Sequence, residues 1–293
     1  MRRVIVTVWC LLMAAGRAFA LADAFIYPRP ESDTDHRYEY EWKLLQTALD
    51  KTIVDYGPYT LGPSSQVMNQ ARLAGEIEAG SGRVSIFVRG TSAALEATLL
   101  PVRIPLDKGL LGYRVFIIRA ADRERFAAIR SLDELRRLSA GQVNTWSDVQ
   151  ILRDGGFNVI TGHHVGTVFK MLAAGRFDFF PRGPDEAYRD SDEWRDAVAG
   201  LVVEKTLLLH YPFARYFFVQ RSPAGARMAT RVELGLNRML KDGSFDTLFM
   251  QYKGPLIAKA DLRNRRVFEL NNVALPPGAP TGRKELWFKP LPN

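Results

Sequence analysis

Short apolar runs alternate with helix-type segments along the middle of the chain, and the alternation is broken twice where proline and glycine interrupt a run of strand-forming residues. The runs "RVSIFVRGTS", "GQVN", "FNVITG" and "FDFF" read as buried strands. Between the last three lie "DVQILRDGG" and "VGTVFKMLAAG", which read as helices. "SLDELRRLS" adds another, with Ser131 as its cap and Glu134 at the capping-box position. Strands alternating with helices indicate an α/β class with parallel strands. The first break is "LLPVRIPLDKGLLGYRVFIIR", where Pro101, Pro105, Gly109 and Gly112 precede a strand. The second is "TLLLHYPFARYFFVQR", interrupted by Pro212. Each break reads as a crossing between two lobes. Residues 23–109 then form the first part of lobe one and residues 110–211 form lobe two. Residues 212–293 return to lobe one and end in a Pro/Gly-rich tail. Two crossings form a hinge, with a cleft between the lobes.

The outer sections follow the same logic. In "EYEWKLLQTALDKTIV", Trp42, Leu45, Leu49 and Ile53 recur at helical spacing, which predicts a helix over residues 41–54. "YTLGPSS" predicts a strand that runs into a turn, and "QVMNQARLAGEIEAGSG" a helix closed by glycine. Late in the chain, "TRVELGLNRMLKDG" and "FDTLFMQY" read as two further helices.

The first 22 residues are of another kind. "MRR" gives a positive start, "VIVTVWCLLMAAG" an apolar core, and "AFA" or "ALA" a small-residue cleavage site, which together predict a signal peptide and export to the periplasm. An N-terminal anchor is the alternative reading, but the apolar run is short for a span of about 20 residues. The single cysteine, Cys10, lies inside this segment, so a mature chain has neither a disulfide nor a cysteine metal site. Cleavage also removes Arg2, Arg3 and Arg17 and no acid, lowering the net charge from +8 to +5. That mild excess favours anionic solutes without giving the dense Lys/Arg face of a nucleic-acid binder.

Signatures of common reactions are missing: no G-x-S-x-G, H-E-x-x-H, P-loop or G-x-G-x-x-G pattern occurs. His163 and His164 are adjacent after a strand, but neighbouring side chains on a turn diverge and no acid accompanies them, so neither a metal nor another cofactor is expected.

In open α/β sheets, ligands bind beyond the carboxyl ends of the strands, beside helix N-termini. "LAAGRFDFFPRGPDEA" ends its strand there on Pro181, Arg182 and Gly183, and Pro184 and Asp185 suit the start of a helix. Arg182 at that place can present a planar fork to a carboxylate or phosphate; the competing reading pairs it with Glu186. The same rule selects Arg89, Gly90 and Thr91 after the third strand, Ser65 and Gln66 after the second, and Tyr27 after the first. In the second lobe it selects Trp146 as an aromatic wall and Asp148 at a helix start.

The order of "LLPVRIPLDKGLLGYRVFIIR", "NTWSDVQILRDGGFNVITG", "MLAAGRFDFFPRGPDEA" and "MLKDGSFDTLF" resembles the type II periplasmic solute-binding proteins, in particular the extracellular solute-binding family of polar amino acid ABC transporters. The resemblance covers roughly residues 25–253. It implies a two-lobed fold that closes over a small polar, anionic or amino-acid-like solute. It also implies a monomer that delivers the solute to an inner-membrane permease or a sensor. Two positions depart from the family pattern. Leu95 and Glu96 stand where an arginine commonly clasps the ligand carboxylate, and Pro181 and Arg182 stand where an aspartate commonly takes the ligand ammonium. Two other functions fit the fold: a dehydratase or isomerase using a cleft acid such as Glu39, and a sensory interaction protein that docks a partner through Trp287 and Phe288 of its tail.

Overall fold

Apolar spacing in residues 39–50 organises the first lobe. In this computed structural model, which describes residues 22–32 and 35–289, helix α1 (Glu39–Asp50) buries Tyr40, Leu44, Leu45, Ala48 and Leu49. Steps of one, three and four residues set them along one stripe of the helix. The helix expected over 41–54 is interrupted, because the Thr52 hydroxyl turns back onto the Leu49 carbonyl at 2.8 Å. A separate turn, α2 (Ile53–Tyr56), follows, and Ile53 is 45% exposed rather than part of the stripe. Residues 1–21 of the expected signal peptide, with Cys10, lie outside the described residues.

Strands β1 (Asp23–Tyr27) and β2 (Tyr59–Pro63) pair in parallel around this helix. Helix α3 (Gln70–Glu78) leads to β3 (Ile86–Gly90), and the Ser85 N–H donates to the Ile26 carbonyl at 2.9 Å, setting β1 beside the start of β3. Helix α4 (Ala93–Thr98) and strand β4 (Leu99–Val102) complete this part. β4 tolerates Pro101 because it lies on a sheet edge.

The second lobe is built from β5 (Tyr113–Arg119), α5 (Arg123–Ala127), α6 (Leu132–Arg136), β6 (Ser139–Val143), α7 (Asp148–Asp154) and β7 (Asn158–Gly162). It continues through α8 (Val165–Ala173), β8 (Phe179–Arg182), α9 (Pro184–Glu193), β9 (Leu201–Val203) and β10 (Leu207–His210). β6 runs parallel to β7 and β8, whereas β5 is antiparallel to β8, β9 and β10. The chain then returns as β11 (Arg215–Gln220), which lies between β3 and β4, and continues into α10 (Pro223–Asp242) and α11 (Ser244–Ala260).

The two crossings run against each other. Tyr211 N–H donates to the Gly112 carbonyl at 3.2 Å, and Leu106 N–H to the Arg215 carbonyl at 3.0 Å. A β-carbon at Gly112 would sit 2.3 Å from the Tyr211 carbonyl oxygen, so the contact requires glycine. This packed pair of strands is the hinge.

Residues after 260 do not stay in the first lobe, as the sequence suggested. Strand β12 (Arg266–Glu269) pairs in parallel with β10 at the edge of the second-lobe sheet. The chain then turns back over the hinge. Asn272 donates to the Pro212 carbonyl at 2.8 Å, Phe288 N–H to the Lys108 carbonyl at 2.7 Å, and Tyr113 hydroxyl to the Phe288 carbonyl at 3.1 Å. Trp287 lies over Gly109, whose φ of 72° is the left-handed conformation that favours glycine. Short-range patterning could place this tail near lobe one but could not show that it straps both crossings.

Gly112→Ala is expected to lower stability by about 1–3 kcal/mol through overpacking of the crossings. Trp287→Ala is expected to lower it by about 2 kcal/mol through lost packing over Gly109. Urea unfolding monitored by circular dichroism checks both.

Candidate functional site

Two contiguous cavities occupy the cleft between the lobes. The inner one has a volume of about 250 Å³, with walls from lobe one (Tyr38, Arg89, Gly90) and lobe two (Trp146, Asp148, Arg182). The outer one, of about 1230 Å³, shares Arg37, Tyr38, Val88, Arg89, Thr145, Trp146 and Val165 with it and extends along Tyr27, Trp42, Leu61 and Met68. Strand ends build this place, as the sequence rule anticipates: β1, β3 and β8 all deliver their last residues into it.

The floor is a network of buried charges. Arg114, the second residue of β5, lies 2.7 Å from Asp148, and its Nε donates to the Tyr211 hydroxyl at 2.9 Å. That hydroxyl in turn donates to Asp148. Arg182 is only 5% exposed. Its Nη2 lies 2.6 Å from Asp190 and its Nη1 3.1 Å from Glu186, and the guanidinium carbon stands 4.5 Å from the Trp146 ring. Arg215 reaches Glu41 at 3.2 Å and Glu186 at 3.5 Å, and Lys253 reaches Asp185 at 3.1 Å. These last pairs join lobe-one strands and helices to α9 of lobe two. Burial pushes the Glu186 carboxyl up, but Arg182, Arg215 and Arg114 outweigh it and hold the group below the usual carboxylate range. Asp185 behaves alike: burial opposes ionisation, and Lys253 followed by Arg215 overcomes it. Burial also raises the Tyr211 hydroxyl well above its ordinary value.

Arg182 therefore takes the internal pairing rather than standing free at the strand end. Among the described residues lining the inner cavity, Arg89 is the one arginine with no carboxylate within 4 Å. The others are engaged: Arg37 with Asp35 and Glu31, Arg189 with Asp190, and Arg114, Arg182 and Arg215 as above. Arg89 is half-buried, and burial lowers its pKa from the ordinary value while the neighbouring Tyr38 opposes that shift.

The remaining candidates divide. Gly90 lines the inner cavity against the Phe213 ring. Trp146 forms a wall of both cavities, and Tyr27 stacks on Trp42 at 4.6 Å in the outer one. Asp148 lines the inner cavity as a member of the buried network. Thr91 does not face either cavity: it is buried, and its hydroxyl donates to Glu96 at 2.5 Å, while Glu96 also holds Arg103. Ser65 and Gln66 are exposed and line neither cavity. Asn69, not either of them, caps α3 by accepting from Arg72 N–H at 2.9 Å, and the buried neighbour Ser64 accepts from Arg29 N–H at 3.1 Å. These three residues stand away from the two cavities for one reason: a turn's direction after its strand is decided by what it packs on. Glu39 is exposed in the outer cleft beside His36 at 3.5 Å. His163 contacts Asn144 at 3.3 Å, and His164 precedes α8. Sequence reasoning missed Arg114, Arg215, Lys253, Glu41 and Tyr211. The available signal was a charged residue inside a strand or helix that otherwise reads as core.

No protein-family model matches the chain, and no curated protein matches it. Solved structures do. An ancestral arginine-binding protein bound to arginine superposes with a TM-score of 0.53 at 14% identity, over 79% of this chain and 97% of that one. The type II periplasmic-binding-protein fold is the fold of this chain. The same fold relates it to a protein described in glutathione import via GshT and the cystine ABC importer TcyBC of Streptococcus mutans (TM-score 0.54, 11% identity, 80% of this chain and 96% of that one). It also relates it to the VFT2 domain of Bordetella pertussis BvgS (TM-score 0.53, 14% identity, 79% and 92%).

Arg182→Ala is expected to cost about 3 kcal/mol of stability, because it leaves the buried Asp190 with only the half-exposed Arg189 and removes the 3.1 Å partner of Glu186; chemical denaturation checks it. A second expectation concerns Asp107, whose carboxyl accepts from the N–H groups of Gly109 and Leu111 at 3.1 and 3.2 Å. Burial raises its pKa from 3.8 to about 6. A carboxyl raised in the folded state binds protons more tightly there than in the unfolded chain. Its contribution is therefore most favourable below about pH 4 and is lost as pH rises through 6. The stability of Asp107→Asn relative to the parent should improve by up to about 3 kcal/mol between pH 4 and pH 7.5, read from urea midpoints across that range.

Proposed function

We propose that this chain is an exported, periplasmic solute-binding protein that closes its lobes over a small polar, anionic solute and presents the closed form to an inner-membrane permease or a sensor. The observation that carries this reading is Arg89: a half-buried cation at the carboxyl end of β3, between the lobes, with no carboxylate of its own among the described residues. A guanidinium so placed offers two parallel donors to a carboxylate. Trp146 and Tyr38 line the same cavity, and the hinge of paired crossings supplies the motion. Arginine-binding and amino acid ABC transporter substrate-binding proteins of the same fold support a solute role. The described residues contain no helix long and apolar enough to cross a membrane.

A sensory role is the second reading. A histidine kinase sensor domain with similarity to periplasmic binding proteins shares the fold (TM-score 0.51, 14% identity). The ion pairs Arg215–Glu186 and Lys253–Asp185 also hold the lobes to each other within the chain itself. A domain that rests closed suits signalling by release as well as transport by capture.

A thermal-melt screen of residues 23–293 against carboxylates, phosphorylated compounds and amino acids tests the binding reading. A ligand at about 100 times its dissociation constant should stabilise by roughly 2.7 kcal/mol. Arg89→Ala should weaken that ligand about 10- to 100-fold, the worth of a hydrogen bond to a charged group, with little change in the melting temperature of the free protein. Small-angle scattering that contracts on ligand addition supports capture by closure, and scattering already compact without ligand supports the sensory reading.

A further inference from the structure

The cleft carries an asymmetry that bears on the chemistry of its ligand. Every buried acid lining the inner cavity already has an internal cation: Asp148 has Arg114, Asp185 has Lys253, Glu186 has Arg182 and Arg215, and Asp190 has Arg182 and Arg189. The Lys253 ammonium lies on Asp185 in the first turn of α9, where an acid beyond a strand end would otherwise meet a cationic solute. One oxygen of Asp185, Oδ1, has no hydrogen-bond partner among the described residues, but it is sealed from solvent and so cannot meet a solute in the cavity. Glu193 lines the cavity without an ion pair, yet it is exposed at the end of α9, where water screens its charge. Arg89, by contrast, has no anion among the described residues. As far as those residues go, the inner cavity thus offers a place for one negative charge and no buried place for a positive one.

Beyond Arg89 the cleft wall changes character. Tyr27 stacked on Trp42, together with Leu61, Met68, Val88 and Trp146, supplies the aromatic and aliphatic part of the outer cavity, whose acids are Glu31 and Asp35, both paired with Arg37, and Glu39, exposed beside His36. An ammonium carried next to a bound carboxylate would be desolvated beside Arg89 without an acid to meet it. A carboxylate on an apolar body meets no such cost.

We propose that the ligand is a monocarboxylate that lacks an α-ammonium group and carries an apolar or aromatic body, with its carboxylate on Arg89 and its body along the Tyr27–Trp42–Trp146 wall. This rests on the solute-binding reading and narrows it to a substrate class unlike the arginine and glutamine named for two structures that share the fold.

Isothermal titration of the whole mature chain with matched pairs tests it: 3-phenylpropanoate against L-phenylalanine, 4-methylpentanoate against L-leucine, and glutarate against L-glutamate. The expected result is binding of the amine-free acid at least about tenfold tighter than its amino counterpart in the aromatic and aliphatic pairs. Glutarate should bind more weakly than either apolar acid. Discrimination should persist in Glu193→Gln and disappear with affinity in Arg89→Ala. Amino acids that bind as tightly as their amine-free partners, or that lose affinity in Glu193→Gln, overturn the proposal and leave the solute-binding reading standing. Tighter binding of glutarate than of the apolar acids overturns the apolar body. If no member of either series binds, while the Arg89→Ala and parent proteins are folded, the proposal falls; the solute-binding reading falls with it only when the phosphorylated compounds of the melt screen also give no shift.

Discussion

Arg215 holds the centre of this molecule. It opens β11, the strand that brings the chain back into lobe one, and its guanidinium touches Glu41 of α1 and Glu186 of α9 at once. A guanidinium buried to that extent is costly to desolvate unless its partners are in place. Satisfying it therefore requires the return crossing, the first helix and the second lobe to be docked together. Arg182, Arg114 and Lys253 extend the same condition to β8, β5 and α11. The interlobe floor is thus a set of mutually dependent ion pairs, and a lost partner leaves a charge stranded where water cannot reach it.

That arrangement shapes what the cleft can do. Carboxylates elsewhere in a solute cleft can serve a cationic group, but here the buried ones are already neutralised from inside the chain. Among the described residues of the inner cavity, the half-buried charge left without an ion pair is the Arg89 guanidinium, and Tyr38 and Trp146 line the same cavity. In open α/β folds the place of a ligand cleft is set by the topology, because it lies beyond strand ends and beside helix starts. What occupies those ends is free to change, so shared architecture constrains the place of binding more than its chemistry.

The C-terminal chain adds a second constraint on the hinge. It leaves lobe one, adds β12 to the edge of the lobe-two sheet, and returns across both crossings to seat Trp287 on Gly109 and Phe288 against Phe249. Any rotation of the lobes about the crossings has to carry this strap with it. The hinge is therefore braced by packing and by backbone hydrogen bonds rather than by the two crossing strands alone.

Much of the architecture was legible in the residue order. Alternating apolar strands and capped helices point to the α/β class, because strand period and helix period are local properties of the chain. Proline and glycine at 101–112 and at 212 mark the crossings, because those residues forbid continuous helix and permit close approach of backbone. The location of the cleft followed from the rule about strand ends, and Arg89 and Trp146 were among the residues that rule selected. Its occupants were not all legible. Arg182 stands at the predicted place yet turns inward to Asp190 and Glu186, Thr91 serves Glu96, and Ser65 faces solvent. A charge's partner is set by distances across the fold, between residues as far apart in sequence as Glu41 and Arg215, and no local pattern encodes such a distance. The sequence by itself determined the elements, the crossings and the position of the cleft. The tertiary structure alone decided which charges cancel within the chain and which one, among the described residues of the cleft, is left without an internal partner.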